Sequence, residues 1–225
     1  MEDFLTPLWL SSKLALITTF SLFFLAVPVV YGLSMNRFFG QKFLKVIIAL
    51  PLILPPSVLG FYLLLAFQPN SMLGTVWNAL FDTRLAFSFQ GILIASIIFS
   101  LPFMVNPILS AIENLPHNLT EASYSLGKTK WQTFYKVLLP NVRPSITSAA
   151  ILTFAHTIGE FGVILMIGGN IPGETRVASI AIFHELERMN YEMANQYAAV
   201  LLGFSFIVLF LVQYIQKNPT RPIIC

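Results

Sequence analysis

Five long apolar segments dominate the pattern of hydrophobic and polar positions along this chain. They lie at residues 14–35, 46–67, 89–109, 145–168 and 196–215. A helix of about 20 apolar residues is long enough to cross the hydrocarbon core of a bilayer. Only helices and closed barrels satisfy every backbone polar group in lipid. The pattern therefore predicts an all-α membrane protein, with five transmembrane helices that form a single domain over residues 1–225.

Composition supports a membrane protein, since 56% of the residues are hydrophobic and 10% are charged, whereas a soluble domain has about 25% charged residues. The acidic start at Glu2 and Asp3 predicts that the first segment is a retained span and not a signal peptide. The single cysteine, Cys225, excludes an internal disulfide and a multi-cysteine metal site. The short tail after the last span predicts no added C-terminal regulatory domain.

Basic residues predict the orientation of the spans. With the N-terminus outside and the C-terminus inside, the inner segments contain nine of the thirteen Lys and Arg residues: Arg37, Lys42, Lys45, Lys128, Lys130, Lys136, Arg143, Lys217 and Arg221. This bias follows the positive-inside rule. The basic residues form no dense patch interleaved with aromatic residues, so we expect no nucleic-acid partner.

Two outer segments and several prolines add detail to this topology. Residues 73–81 are predicted to form a short helix, and residues 177–189 an amphipathic helix at the outer interface. Prolines in the second span (Pro51, Pro55 and Pro56) and in the third (Pro102 and Pro107) predict kinks, because proline removes a backbone hydrogen bond. Two interpretations remain open, ordinary bundle packing and a pore lining that bends on opening. Pro55 and Pro102 are the candidates for the second.

The large inner segment between the third and fourth spans predicts two short helices around a sharp turn. Asn118 with Glu121 resembles a capping box for the first helix, and Thr129 with Gln132 repeats the pattern for the second. Gly127 lies where a left-handed residue would end the first helix. Pro140 and Pro144 are expected to stop the second helix and lead into the fourth span. The result is a rigid projection of the kind that docks into a groove on a partner.

The same segment resembles a known signature. Its matching positions are Glu121, Ala122, Ser123, Gly127, Val137, Leu139 and Pro140. They resemble the cytoplasmic motif of the permease subunits of binding-protein-dependent ABC importers, which reads EAA, three residues, G, nine residues, I, one residue, LP. Ser replaces the third alanine, and Val replaces the isoleucine. The resemblance implies a type I permease fold in which residues 118–140 are a cytoplasmic coupling helix pair. Its expected ATPase-coupling residues are Glu121, Ala122, Ser123, Gly127, Leu139 and Pro140.

Three further motifs, PLILPP at 51–56, IGEFG at 158–162 and NIPGETR at 170–176, resemble the molybdate permease branch of that family, close to the sulfate permeases. NIPGETR decides the choice of molybdate. The resemblance implies a multi-pass protein of the bacterial inner membrane. It also implies a homodimer with two ATP-binding cassette ATPase subunits and a periplasmic molybdate-binding protein, surrounded by membrane lipid.

The expected function is import of molybdate, with tungstate as a related cargo. The chain has no Walker-type Gly-rich loop, so we expect no ATP site, no enzymatic activity and no cofactor in it. A sulfate or thiosulfate permease remains an alternative. An ion-coupled secondary transporter is another, although it leaves the inner projection unexplained.

Two ionisable residues lie within the fourth span. His156 and Glu160 are four residues apart and are therefore expected on one helix face. Charge inside a bilayer is costly, so both should face the bundle, a subunit interface or a wet path. Packing hydrogen bonds and pore or gate lining are both open, and a metal site is weakly supported because two ligands are too few. No span contains Lys or Arg, which favours a chain that passes an anion without holding it.

Overall fold

The computed structural model describes residues 2–36 and 38–217, and every regular element in those ranges is a helix, as predicted. The predictions on Arg37, Arg221 and Cys225 lie outside the described residues. In chain order the helices are α1 (Glu2–Met35), α2 (Gln41–Ile53), α3 (Pro56–Phe67), α4 (Met72–Phe81), α5 (Phe89–Glu113), α6 (His117–Ser125), α7 (Lys130–Thr133), α8 (Leu139–Asn141), α9 (Arg143–Gly159), α10 (Gly162–Gly168), α11 (Ala178–Glu187) and α12 (Tyr191–Lys217). A π-helical turn, Phe134–Leu138, joins α7 to α8.

Three of the described helices, α1, α5 and α12, are long and apolar enough to cross a membrane. Two bent pairs, α2 with α3 and α9 with α10, raise the number to five if each pair is one span. Five is the number that the sequence predicts. The first span is longer than predicted, because α1 is one helix of 34 residues. It continues through Ser11 and Ser12, whose hydroxyls donate to the carbonyls of Pro7 and Leu8 within the helix.

The second predicted span is not one kinked helix but two helices that meet at 112°. Leu54 and Pro55 both have extended backbone at this break, with ψ of 135° at each. The cause is local, since Pro55 and Pro56 have no N–H, and a residue before proline is driven out of the helical region. In contrast, α5 continues without a break through Pro102 and Pro107.

Helix α5 lies at the centre of the bundle, in contact with α1, α2, α9 and α10. Buried apolar side chains form two clusters along it. The inner core includes Leu22, Val30, Met104, Val105, Phe134 and Leu138. The outer core includes Leu14, Ile92, Ala95, Val163, Ile164 and Ile167. The names follow the predicted orientation, and the two cores divide the bundle into two halves.

Both predicted helices of the outer segments form, but one is more buried than expected. Helix α4 begins at Met72, after Ser71, whose hydroxyl accepts from the N–H of Gly74 at 2.9 Å. Helix α11 does not simply lie at the outer interface, because its first half packs into the bundle and Ala178 and Ile180 are fully buried. Apolar residues on one face of its first turn allow this burial.

A hydroxyl of α1 caps the start of α11. The N–H of Ala178 donates to Ser11 Oγ at 2.7 Å, and Ser11 Oγ donates to the Pro7 carbonyl at 2.9 Å. All three groups are in a buried environment, where an unpaired N–H costs about 1–3 kcal/mol. The bond therefore fixes the outer segment to the first span.

Candidate coupling and gating sites

The first helix of the predicted coupling segment, residues 118–140, starts earlier than its sequence suggests. Helix α6 begins at His117, its N-cap position is Pro116, and no side chain caps it. The predicted capping box of Asn118 and Glu121 is therefore wrong. Pro116 holds an extended ψ of 131° and starts the helix one residue before Asn118, which leaves Asn118 inside the first turn.

The turn between the two coupling helices confirms the rest of the local prediction. Gly127 has φ of +72°, and its N–H donates to the Tyr124 carbonyl at 2.9 Å. At the start of α7, Gln132 N–H donates to Thr129 Oγ1 at 3.3 Å and Thr129 N–H donates to Gln132 Oε1 at 3.1 Å. These two bonds make the predicted capping box. The sharp turn is thus fixed by local chemistry on both sides.

The second coupling helix ends between Pro140 and Pro144, as predicted, but Pro140 itself does not stop it. Helical backbone continues through Pro140 to Asn141, and Pro144 lies in the first turn of α9. A π turn comes immediately before Pro140, in which the N–H of Leu139 reaches the Phe134 carbonyl five residues back. Proline cannot donate and clashes with the preceding turn, and the wider π turn accommodates both effects.

Buried contacts attach the coupling segment to the bundle. Ser123 and Thr133 join its two helices through their hydroxyls, at 2.8 Å. Phe134 is fully buried in the inner core, with its ring centroid 5.2 Å from that of Tyr31 on α1. Phe134 therefore anchors this segment in the inner half of the bundle.

The outward surface of the coupling segment is exposed and partly apolar. Of the predicted coupling residues, Glu121, Ala122 and Gly127 are exposed, Leu139 and Pro140 are half-buried, and Ser123 is buried. Large apolar side chains lie beside the exposed ones, with Leu126 77% and Trp131 50% exposed. An apolar exposed surface on a charged inner segment is typical of a docking site.

The fourth predicted span is also broken, and the break changes the prediction for Glu160. Helix α9 ends at Gly159, Glu160 has an extended ψ of 129°, and α10 starts at Gly162 with a bend of 57°. His156 and Glu160 therefore do not share a helix face. Both side chains nevertheless reach α5, because the first residue after a helix can still point along its last turn.

Glu160 connects the break to two other helices. Its side chain is 4% exposed, and its Oε2 accepts from Ser96 Oγ of α5 at 3.1 Å. Its backbone carbonyl, which the break leaves without a helical partner, accepts from Ser179 Oγ of α11 at 2.6 Å. Glu160 Oε1 has no hydrogen-bond partner among the described residues. Phe161 adds a ring contact with Phe183 of α11, with centroids 5.2 Å apart.

His156 lies in an aromatic setting one turn away. Its Nδ1 is 3.1 Å from Ser100 Oγ, and its ring stacks on Phe103 with centroids 3.9 Å apart. Ser100 also bonds to Thr157 Oγ1 at 3.1 Å. We call the residues Ser96, Ser100, His156, Thr157 and Glu160 the polar layer. They join α5 to the fourth span between the outer and inner cores.

The two broken spans meet at their breaks, which the sequence did not indicate. A Cβ on Gly162 would lie 2.8 Å from Pro56 Cβ, and one on Gly60 would lie 2.9 Å from Met166 Cβ. Only glycine permits such an approach. Of the two proline candidates for the gate, Pro55 is exposed and precedes the contact residue Pro56, and Pro102 is buried within α5. In the sequence, the features at this contact were the prolines of the motif at 51–56 and the two glycines of the motif at 158–162, and neither motif indicated that the two spans meet.

The NIPGETR loop at 170–176 is held by its own side chains. Thr175 is fully buried, and its Oγ1 donates to the Gly168 carbonyl at 2.7 Å and accepts from Ile171 N–H at 3.1 Å. Arg176 Nε donates to Asn170 Oδ1 at 2.5 Å. Several residues of this motif therefore have structural roles in shaping the loop.

Comparison with known proteins agrees with this architecture. Residues 23–221 match the family model described as "Binding-protein-dependent transport system inner membrane component". The chain is 42% identical over 209 residues to the molybdenum transport system permease protein ModB of Azotobacter vinelandii, covering 93% of this chain and 92% of that one. It is 35% identical over 192 residues to the sulfate transport system permease protein CysT of Escherichia coli (strain K12), covering 85% and 69%.

A solved structure supports the fold. The chain matches a bacterial ABC transporter involved in the import of the acidic polysaccharide alginate with a TM-score of 0.78, at 16% identity, covering 98% of this chain and 81% of that one. At this identity the match bears on the fold alone. With an all-helical bundle, five candidate spans and a family match over most of its length, the chain belongs to the family of binding-protein-dependent transport system inner membrane components.

Proposed function

We propose that this chain is the membrane permease of an ATP-driven importer of molybdate, with tungstate as a related cargo, in the bacterial inner membrane. The observation that carries the substrate is the 42% identity to a molybdenum permease across 92% of that relative. In this proposal two copies of the chain form the path. A periplasmic molybdate-binding protein delivers the anion, and two separate ATPase subunits hydrolyse ATP.

The coupling segment supplies the contact with the ATPases. Glu121, Ala122 and Gly127 are exposed and are assigned to the docking surface. Ser123 is buried and contributes indirectly, because its bond to Thr133 positions one coupling helix against the other. The attachment of Phe134 to the inner core supports this role, since closure of an ATPase pair would then move the inner half of the bundle.

The two breaks are assigned to the gate. Because Gly162 and Pro56 are in contact, a change in the angle of one bend would alter the angle of the other. Glu160 and His156 tie α5 to the fourth span and are positioning residues in this scheme. Pro55 lies at the pivot, and Pro102 lies in α5, the helix shared by both cores.

Reconstitution tests the function. The chain is purified with its candidate ATPase in proteoliposomes, and ATP hydrolysis and uptake of labelled molybdate are measured with and without molybdate-loaded binding protein. We expect ATP-dependent uptake that requires the binding protein. Failure to form a complex with the ATPase, or uptake driven by a proton gradient alone, would overturn the proposal and favour an ion-coupled transporter.

A sulfate permease is the second candidate, because the sulfate permease CysT is also a relative at 35% identity. The structural roles of Thr175 and Arg176 reduce the value of the NIPGETR motif as a substrate marker. Competition distinguishes the two cargoes. Excess sulfate should leave molybdate uptake unchanged, and strong inhibition by sulfate would favour the second candidate.

Matched variants test the coupling segment. Gly127 and Gly173 have nearly equal left-handed φ, +72° and +75°, and a Cβ on either would meet nothing within 4 Å. Alanine at each therefore carries a similar strain, about 1 kcal/mol. We expect Gly127→Ala to lower molybdate-stimulated ATP hydrolysis and Gly173→Ala, on the outer loop, to leave it unchanged.

A second pair of variants tests the docking surface directly. Glu121→Lys should prevent co-purification of the ATPase, whereas Glu187→Lys on the opposite side should not. Equal effects within either pair would contradict the assignment.

A further inference from the structure

A polar cavity lies at the outer ends of α1, α11 and α12, outside the coupling segment and the polar layer. Its volume is about 570 Å³, and its polar lining includes Arg176, His184, Glu185, Arg188 and Asn190. Apolar and small residues from α1 and α12, among them Pro7 and Met193, complete the wall. Neither the coupling scheme nor the gating scheme uses this cavity.

The cavity presents hydrogen-bond donors in a fixed arrangement. Arg176 can only donate, so its bond from Nε to Asn170 Oδ1 at 2.5 Å orients the Asn170 amide. The amide nitrogen of Asn170 then donates to His184 Nδ1 at 3.1 Å, which places the imidazole proton on Nε2. Among the described residues, Arg176 Nη1 and His184 Nε2 have no hydrogen-bond partner. Both donors are therefore available to a ligand.

The charge of the cavity favours an anion. Glu185 is the single acid among the described residues of the lining. Its Oε2 accepts from Asn190 Nδ2 at 2.7 Å, and its Oε1 lies 3.5 Å from Arg188 Nη1. Among the described residues, Arg176 has no acidic partner, and the described part of the lining has one net positive charge when His184 is counted as neutral. A guanidinium with free N–H groups beside an imidazole N–H matches the oxygens of a phosphate or a similar tetrahedral group.

The position of the cavity explains how such a group would reach it. Its walls are the first residues of two spanning helices, α1 and α12, and Trp9 of α1 is 68% exposed one turn along. Exposed tryptophan near the end of a span marks the level of the lipid headgroups. Further along the same helices, Phe20 and Phe206 are about 70% exposed and present apolar surface suited to acyl chains.

We propose that this cavity binds a tetrahedral oxyanion group, which is the phosphate of an anionic phospholipid headgroup or a free oxyanion of the same chemistry. Both sources share the geometry and charge that Arg176 and His184 recognise. The proposal does not depend on the transported substrate.

Thermal unfolding of the purified full-length chain in detergent tests it. Phosphatidylglycerol, phosphatidylcholine and inorganic phosphate are titrated separately. We expect phosphatidylglycerol to raise Tm more than phosphatidylcholine does. Arg176→Gln and Arg188→Gln should each raise the concentration for half-maximal stabilisation roughly tenfold. Arg84→Gln, which removes an outer arginine from a different cavity, is the control and should change nothing.

Two variants are used because Arg176 also bonds to Asn170, so Arg176→Gln can disturb folding of the loop. The Arg188 side chain is 63% exposed, so we expect Arg188→Gln to fold normally. Stabilisation by phosphatidylglycerol alone identifies a lipid site, and equal stabilisation by inorganic phosphate identifies a free-anion site. Stabilisation by neither ligand overturns the proposal. Loss of stabilisation in Arg84→Gln to the same extent as in Arg188→Gln also overturns it.

Discussion

The two broken spans differ in how their breaks are made. In the second span the break is built from Pro55 and Pro56, is bent by 112°, and leaves Pro55 exposed. In the fourth span the break falls at Glu160 between two glycines, is bent by 57°, and is buried. The proline break is imposed by covalent structure and needs no partner. The glycine-flanked break depends on bonds from α5 and α11, so its stability depends on the surrounding helices.

The largest effect is expected where the two breaks touch. Gly162→Ala places a methyl group 2.8 Å from the rigid ring of Pro56, whereas Gly159→Ala, three residues earlier, meets nothing within 4 Å. We expect Gly162→Ala to cost about 1–3 kcal/mol and to lower Tm by roughly 2–12 °C. Gly159→Ala should leave Tm unchanged or raise it slightly. Thermal unfolding of the purified variants measures both, and equal Tm values would show that the breaks are not in tight contact.

A smaller effect is expected from removing the bond that holds the fourth-span break. Ser179→Ala leaves the Glu160 carbonyl without its 2.6 Å partner. An unpaired carbonyl in this setting costs about 1–2 kcal/mol, which lowers Tm by roughly 2–8 °C. The control is Ser205→Ala, because the exposed Ser205 Oγ bonds, among the described residues, only to the Leu201 carbonyl of its own helix. If Ser205→Ala destabilises the protein as much as Ser179→Ala, the fourth-span break is not held by α11.

The smallest effect is expected at the proline break. Pro55→Ala removes a residue that fixes its own backbone, while Pro56 remains to start α3. We expect a change of about 1 kcal/mol or less, arising mainly from the unfolded chain. Pro69→Ala, at an exposed proline of the outer loop, is the control. If Pro55→Ala lowers Tm more than Ser179→Ala does, the second-span break contributes more to stability than the bond that holds the fourth-span break, which contradicts the comparison.

The sequence predicted those features that neighbouring residues determine. The left-handed turn at Gly127 and the capping box of Thr129 and Gln132 form because all their partners lie within three residues. The false capping box at Asn118 had the right spacing, but Pro116 had already started the helix. Local rules were therefore correct where no stronger local signal competed.

The candidate gate could be predicted only in part. The sequence identified Glu160 and His156 as costly in lipid, and burial of Glu160 agrees with that reasoning. It did not identify Ser96 or Ser179 as partners, because they lie 64 and 19 residues from Glu160 along the chain. Their bonds arise from packing of α5 and α11, which no spacing rule specifies. The break at Glu160 was missed because its apolar neighbours continue the pattern of a spanning helix.

The hydrogen bond between Ser11 and Ala178 determines when, during synthesis, the outer segment can reach its final structure. The two residues are 167 positions apart, and synthesis proceeds from the N-terminus. The hydroxyl that starts α11 is thus inserted with the first span, long before its partner N–H is made. The outer segment of the permease can adopt its final form only after four of the five spans have been synthesised, so a chain interrupted before that point lacks this surface altogether.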